Sequence, residues 1–207
     1  MTLSDNVRFR LLGLLPFAFW LGQAVHYWRH DGLPHMLWMC NIGNLLLAIG
    51  LFFQIKWLAR LAAIWMVPGI AIWLQYVVAT GNLVVSSFFA HIGGLVIGLY
   101  TLYKLGSSRQ MALHAIVWYL ILQEFCRLFT APEMNINVAH SVYSDYNKAF
   151  NSYWKFWLAA TALVVFGMFI LQFVLLKIFP PRDEGSSPVE ETVGSSSRQD
   201  SGLSSFE

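Results

Sequence analysis

Charge is scarce in this chain. Only 12% of its 207 residues are Asp, Glu, Lys or Arg, while 57% are hydrophobic. An average soluble domain carries about 25% charged residues, so the shortfall argues against a water-soluble globular fold. Lys and Arg number 13 against 11 Asp and Glu, and no basic block occurs. The electrostatic footprint of a nucleic-acid binder is therefore missing. Cysteine is almost absent. Cys40 and Cys126 each sit in an apolar stretch, which is neither a disulfide framework nor a zinc-ribbon spacing; a single bond between the two stays open. There is no H-E-x-x-H pattern and no internal repeat. No small-residue cleavage site follows the apolar run after Arg8 and Arg10, so that run reads as a retained helix rather than a leader.

What the chain has is long apolar runs. A spanning helix needs about 20 mostly apolar residues, and six segments qualify: 11–28, 35–55, 57–78, 83–105, 110–130 and 153–179. The sequence predicts an all-α membrane protein, a six-transmembrane-helix bundle over residues 1–180, then a disordered cytoplasmic tail over 181–207. That tail is rich in Ser, Gly and acidic residues and has little to bury. The second and third helices form a tight hairpin at Lys56, and Pro68 kinks the third. Lys and Arg near the helix ends set orientation. Arg8, Arg10, Lys56, Arg60, Lys104, Arg109, Lys177 and Arg182 fall on one side, against Arg29, Arg127, Lys148 and Lys155 on the other. This predicts a multi-pass cell-membrane protein with both termini cytoplasmic. The segment 131–152 is long for a connection and carries aromatics, so it reads as a packed outer cap.

Polar residues within the spans gather toward the outer face. At about 1.5 Å per residue, Cys40 lies about 7–8 Å in along the second helix and His91 about 12 Å in along the fourth. Asn41 and Asn44 follow Cys40; Ser87 sits one turn from His91; Glu124 and Arg127 close the fifth helix at i, i+3. Gly94 and Gly98 continue the Ser87–His91 stripe as a small-residue packing face, which turns His91 inward. Ionisable groups in spans are costly and point to function. A thiol reacts as thiolate, and a neighbouring base promotes it, so Cys40 and His91 form a candidate catalytic pair. Asn41, Asn44 and Ser87 are candidate polar donors. Glu124 with Arg127 reads equally as a structural ion pair. Asn135, Asn137 and His140, with Tyr143 and Tyr146, either line the mouth of a polar site or satisfy loop backbone groups. Each feature also has a packing reading; a lone buried cysteine is often only a small core residue.

Three short stretches resemble the YwaF-type bacterial integral membrane proteins and, more remotely, animal membrane acyltransferases with a cysteine nucleophile. They are L-P-H-M-L-W-M-C before and into the second helix, F-F-A-H-I-G-G-L in the fourth, and M-N-I-N-V-A-H followed by Y-W-K-F-W. Together they span about a fifth of the chain. The spacing from His35 to Cys40 is longer than in that family, which separates His35 from any inherited role. The resemblance implies acyl transfer or lipid hydrolysis, with Cys40 as nucleophile and His91 as base.

Three functional expectations follow. The first is a lipid acyltransferase or hydrolase acting on membrane lipids or another acyl substrate, without a cofactor. The second is a metal or haem site built from His26, His91 and His140, with Glu124. The third is a non-enzymatic assembly or binding subunit of a membrane complex, with oligomerisation left open.

Overall fold

The computed structural model describes residues 3–142, 146 and 148–182, with side chains from residue 7 onward. Among these residues every regular element is helical. In chain order they are α1 (Leu3–Leu12), α2 (Leu14–Arg29), a 3-10 turn (Leu33–Leu37), α3 (Met39–Phe52), α4 (Lys56–Thr80), α5 (Val85–Phe88), a π turn (Phe89–Gly93), α6 (Gly94–Leu105) and α7 (Met111–Phe129). Two short 3-10 turns (Pro132–Met134 and Ile136–Val138) then lead to α8 (Tyr153–Ile178).

Four helices are long and apolar enough to cross a membrane: Lys56–Thr80, Val85–Leu105, Met111–Phe129 and Tyr153–Ile178. With the composition, this makes the chain a membrane-embedded all-α protein. The last four expected spans match these helices to within two residues. The first two differ. The run over 11–28 is interrupted at Gly13, whose backbone lies against the end of α3: a Cβ there would stand 3.0 Å from the Ala48 oxygen and 3.1 Å from the Phe52 nitrogen. The run over 35–55 opens with the 3-10 turn, because Pro34 at its start fixes φ and lacks an N–H. The α-helix proper is only 14 residues, Met39–Phe52. Of the tail expected over 181–207, residues 183–207 lie outside the described residues, and so does Tyr143.

The α3–α4 hairpin is the tight pair expected, and α4 is the centre of the bundle, packed on α3, α6 and α7. Its buried face runs from Leu58 through Met66. Trp65 is fully buried and its one polar atom is satisfied, Nε1 donating to the Ala115 carbonyl at 3.2 Å. α4 continues across Pro68 as one element. At Gly50 the two backbones approach closely: a Cβ would meet the Ala59 nitrogen at 2.6 Å. The Gly94–Gly98 stripe also packs inward as expected, with Gly94 against Asn44 and Met66 and Gly98 against Ala63.

The helices alternate in direction, which sorts the loops into two ends. One end gathers residues 30–38, 81–84 and 130–142 and is called the cap end. At the other, two arginines cover the last carbonyls of α6. Arg60 donates to the Leu105 and Gly106 oxygens at 2.9 and 3.0 Å, and Arg182 to the Lys104 oxygen at 2.9 Å. Cations at a helix C-terminus satisfy unpaired carbonyls and favour its dipole.

Candidate functional site

Cys40 lies in the first turn of α3, at the cap end, and is half-buried. The first turn of a helix leaves N–H groups without intrahelical partners. That of Asn41 donates instead to the Trp38 carbonyl at 2.9 Å. Across the interface Cys40 packs on α4 at Gly69, where a Cβ would lie 3.8 Å from its own. Asn41 is fully buried; its Nδ2 donates to the His35 carbonyl at 3.0 Å and its Oδ1 has no partner. Tyr27 of α2 is a further neighbour of Cys40 and Asn41.

His91 sits in the π turn between α5 and α6 and is buried. A π turn widens the helix by one residue and displaces backbone carbonyls from the regular ladder. Here the Ala90 carbonyl is taken up by Asn44 of α3. Its Nδ2 donates to the Ala90 oxygen and to the Cys40 oxygen, both at 2.9 Å. One amide nitrogen thus ties the backbone of Cys40 to the residue preceding His91. Asn44 is itself fully buried and fits because Gly94 has no side chain: a Cβ there would stand 2.7 Å from Asn44 Oδ1.

The tautomer of His91 follows from its partner. Nδ1 lies 2.8 Å from the Ser87 carbonyl oxygen. A carbonyl only accepts, so in the neutral ring Nδ1 carries the proton and Nε2 the lone pair. Nε2 has no hydrogen-bond partner among the described residues. The ring stacks on Trp73 of α4 at 5.1 Å and 14°, and Trp73 Nε1 donates to Ser87 Oγ at 2.9 Å. Cys40 and His91 therefore pack on α4 one turn apart, at Gly69 and Trp73. No hydrogen bond joins the thiol to the imidazole. Both N–H groups of Asn44 are occupied, so it has none left to donate to an oxyanion, although the sequence suggested that role.

Residues 131–142 lie over this end of the bundle, held there by their polar side chains and backbone. Asn135 Oδ1 accepts from the His140 and Ser141 N–H groups, each at 3.0 Å. Asn137 is buried and reaches α3, accepting from Met39 N at 3.1 Å and donating to the Leu37 oxygen at 2.7 Å and to Cys126 Sγ at 3.3 Å. His140 contacts Thr130 at 3.2 Å. Arg127 is the hub. Nε donates to the Ala139 oxygen at 3.0 Å, Nη1 to both Glu124 oxygens at 2.6 and 2.8 Å, and Nη2 to Tyr153 Oη at 2.6 Å; Trp154 lies under it at 5.0 Å. Gln123 joins Asn137 to Trp157. Tyr153, Trp157 and Trp73, and the buried Gln23 that accepts from Ser86, were not singled out as site residues. Their only signal in the sequence is an aromatic or amide near a helix end, which is too common to discriminate.

These distances separate the two partners of the ion pair. The Glu124 side chain is 49% exposed, and exposed pairs contribute about 0–1 kcal/mol. Arg127 also holds a backbone carbonyl and a phenol, and hydrogen bonds from charged groups are worth about 1.5–3 kcal/mol. Arg127→Ala is therefore expected to destabilise the detergent-solubilised protein by about 2 kcal/mol, and Glu124→Gln by under about 1 kcal/mol, both read from thermal melts. Equal losses would mean the pair, not the cap, is what Arg127 serves.

The remaining histidines lie apart from His91. The His26 and His30 rings lie 4.5 Å apart, tilted by 34°, with His30 Nδ1 on the His26 carbonyl at 2.7 Å, and His35 accepts from Trp38 Nε1 at 3.2 Å. Among the described residues no three His, Cys, Asp or Glu side chains gather as a metal-binding group. Both cysteines are free thiols. Comparison with protein-family models, with curated proteins and with solved structures finds no match to this chain.

Proposed function

We propose that this chain is a six-span membrane protein that transfers or hydrolyses acyl groups of lipids through Cys40 and His91, its basic end facing the cytoplasm. For the span count, α3 rises about 21 Å and the preceding 3-10 turn adds up to about 10 Å. Together they approach the roughly 30 Å of a bilayer core. The irregular backbone of that turn is compatible with membrane depth because the cap covers it. For orientation, eight Lys and Arg stand at the basic end against four at the cap end, and cationic ends stay cytoplasmic.

One observation carries the chemical reading. A half-buried cysteine in the first turn of α3 is tied through Asn44 to the turn that presents a histidine whose Nε2 has no hydrogen-bond partner among the described residues. The step balances without a cofactor. His91 Nε2 takes the thiol proton as Sγ bonds to the acyl carbonyl carbon. The carbon–oxygen bond of the ester breaks, and the proton goes to the departing alcohol oxygen. Water or an acceptor hydroxyl then reverses the sequence on the thioester. The thiol and imidazole are not hydrogen-bonded in the ligand-free state, which is common before substrate binds. The likeness to YwaF-type proteins agrees with this assignment.

The test is direct acylation. Purified protein in detergent is incubated with an alkyne-tagged acyl thioester and digested for mass spectrometry. The expected result is one acyl adduct, on the Cys40 peptide, lost on prior unfolding. No adduct, or equal adducts on Cys40 and Cys126, overturns the reading.

A second reading has its own support. Asn41, Asn44, Asn137, Gln123 and Arg127 all donate to backbone carbonyls, as interhelical polar contacts do in a purely structural bundle. In that case the chain is a non-enzymatic membrane subunit, and the acylation experiment yields no adduct on folded protein.

A further inference from the structure

α3 starts on a residue that cannot cap it. Its N-cap position is Trp38, and no side chain of the local sequence accepts from the first turn. Helices normally open on Ser, Thr, Asp or Asn, whose oxygen takes one of the unpaired N–H groups. Here the acceptor comes from 98 residues away: Asn137 Oδ1 receives the Met39 N–H, while its Nδ2 holds the Leu37 oxygen on the other side of Trp38. The same residue is fixed in turn by Gln123, whose Nε2 donates to the Asn137 oxygen at 3.2 Å. Its own backbone is left-handed, φ 52°, and the next residue, Val138, is too, φ 58°. A β-branched residue there is strained, and such strain persists only where the surroundings over-determine the geometry. The cap segment is bent into this shape with Asn137 buried on α3.

We infer that Asn137 is the positioning residue for Cys40: it supplies from a distant part of the chain the cap that α3 lacks and so holds the first helical turn, in which Cys40 sits. This rests on the thiol reading above, but it concerns the aim of the thiol rather than the acyl chemistry. It also makes the outer segment part of the reactive site. Whatever displaces residues 135–139 from α3 also frays the turn that carries Cys40.

The experiment needs no substrate. In a Cys126→Ala background Cys40 is the only thiol, and its alkylation by iodoacetamide is followed against pH in detergent. The titratable side chains around it, Tyr27 on α2 and His91 across Asn44, stay unchanged. Asn137→Ala is expected to slow alkylation at pH 7.5 by about tenfold, the scale of a helix N-terminus acting on a charge, and to move the midpoint of the rate-against-pH curve to higher pH. A merely structural loss would leave that midpoint in place. Asn137→Leu, which keeps the volume but removes the bonds to Met39 N and the Leu37 oxygen, is expected to shift the midpoint the same way, and it carries the test if N137A does not fold. A superimposable profile in whichever variant is monodisperse overturns the inference. A shifted profile with no acyl adduct in the earlier experiment removes the acyl-transfer reading and leaves Asn137 as the positioning residue.

Discussion

Replacing His91 with glutamine is expected to slow acylation of Cys40 by about 10²–10⁴-fold, the usual contribution of a positioned general base, without unfolding the protein. The reason lies in the two ends of the imidazole. Nδ1 is committed to the Ser87 carbonyl at 2.8 Å, so the lone pair is on Nε2, the only atom of the ring able to receive the thiol proton. Glutamine retains an N–H for Ser87 and much of the side-chain volume, but its remaining group is an amide oxygen, which is a very weak base. The neighbouring Trp73–Ser87 hydrogen bond, 2.9 Å, does not depend on His91 and keeps α4 and α5 in register. The measurement is the rate constant for thioester-probe acylation, with thermal melts as the control for folding. A rate within about threefold of the parent, read as a free-energy difference, would take His91 out of the mechanism and leave it as a packing residue on Trp73.

How much of this arrangement was legible depends on the range of the contact. The four long helices follow from run length alone, because a bilayer imposes a minimum on each span. The α3–α4 hairpin follows from the single charge between two apolar runs, and the inward turn of His91 from glycines at helical spacing. What escaped the sequence is set by pairs of distant residues. The 3-10 opening of α3 hides inside an apolar run; Pro34 is its only mark. The π turn at Phe89–Gly93 has no compositional signature, since the displaced Ala90 carbonyl is stabilised by Asn44, 46 residues away. The polar residues do gather at one end, yet they divide into two sets. Asn44, Ser87 and His91 surround α4, whereas Glu124, Arg127 and Asn135 bind the cap. Spacing along single helices cannot predict that division, nor that Asn137 hydrogen-bonds the cap to the start of α3.

Gly50→Val is expected to abolish the folded bundle in detergent, seen as loss of the monodisperse peak and of a cooperative melt. The bulk it adds has nowhere to go. A Cβ at residue 50 would stand 2.6 Å from the Ala59 nitrogen, 2.9 Å from its Cα and 3.0 Å from its Cβ. The first two are backbone atoms of α4, the central helix, and the third is fixed to them, so none can swing aside as a side-chain tip can. Overpacking a core costs about 1–3 kcal/mol even where side chains can adjust. Against a rigid backbone, with two further methyl groups, the cost moves into the range of total domain stability, about 5–15 kcal/mol. Gly22→Ala on α2 is the matched control. There the nearest atom to a Cβ is the Ser86 Cβ at 3.9 Å, an ordinary contact, and alanine in a helix is favoured over glycine by about 1 kcal/mol, so that variant should melt at or above the parent temperature. If both variants melt like the parent, α3 and α4 are not in backbone contact at residue 50. The hairpin that carries Cys40 on one arm and Gly69 and Trp73 on the other would then lack the rigidity needed to hold a thiol and an imidazole one helical turn apart.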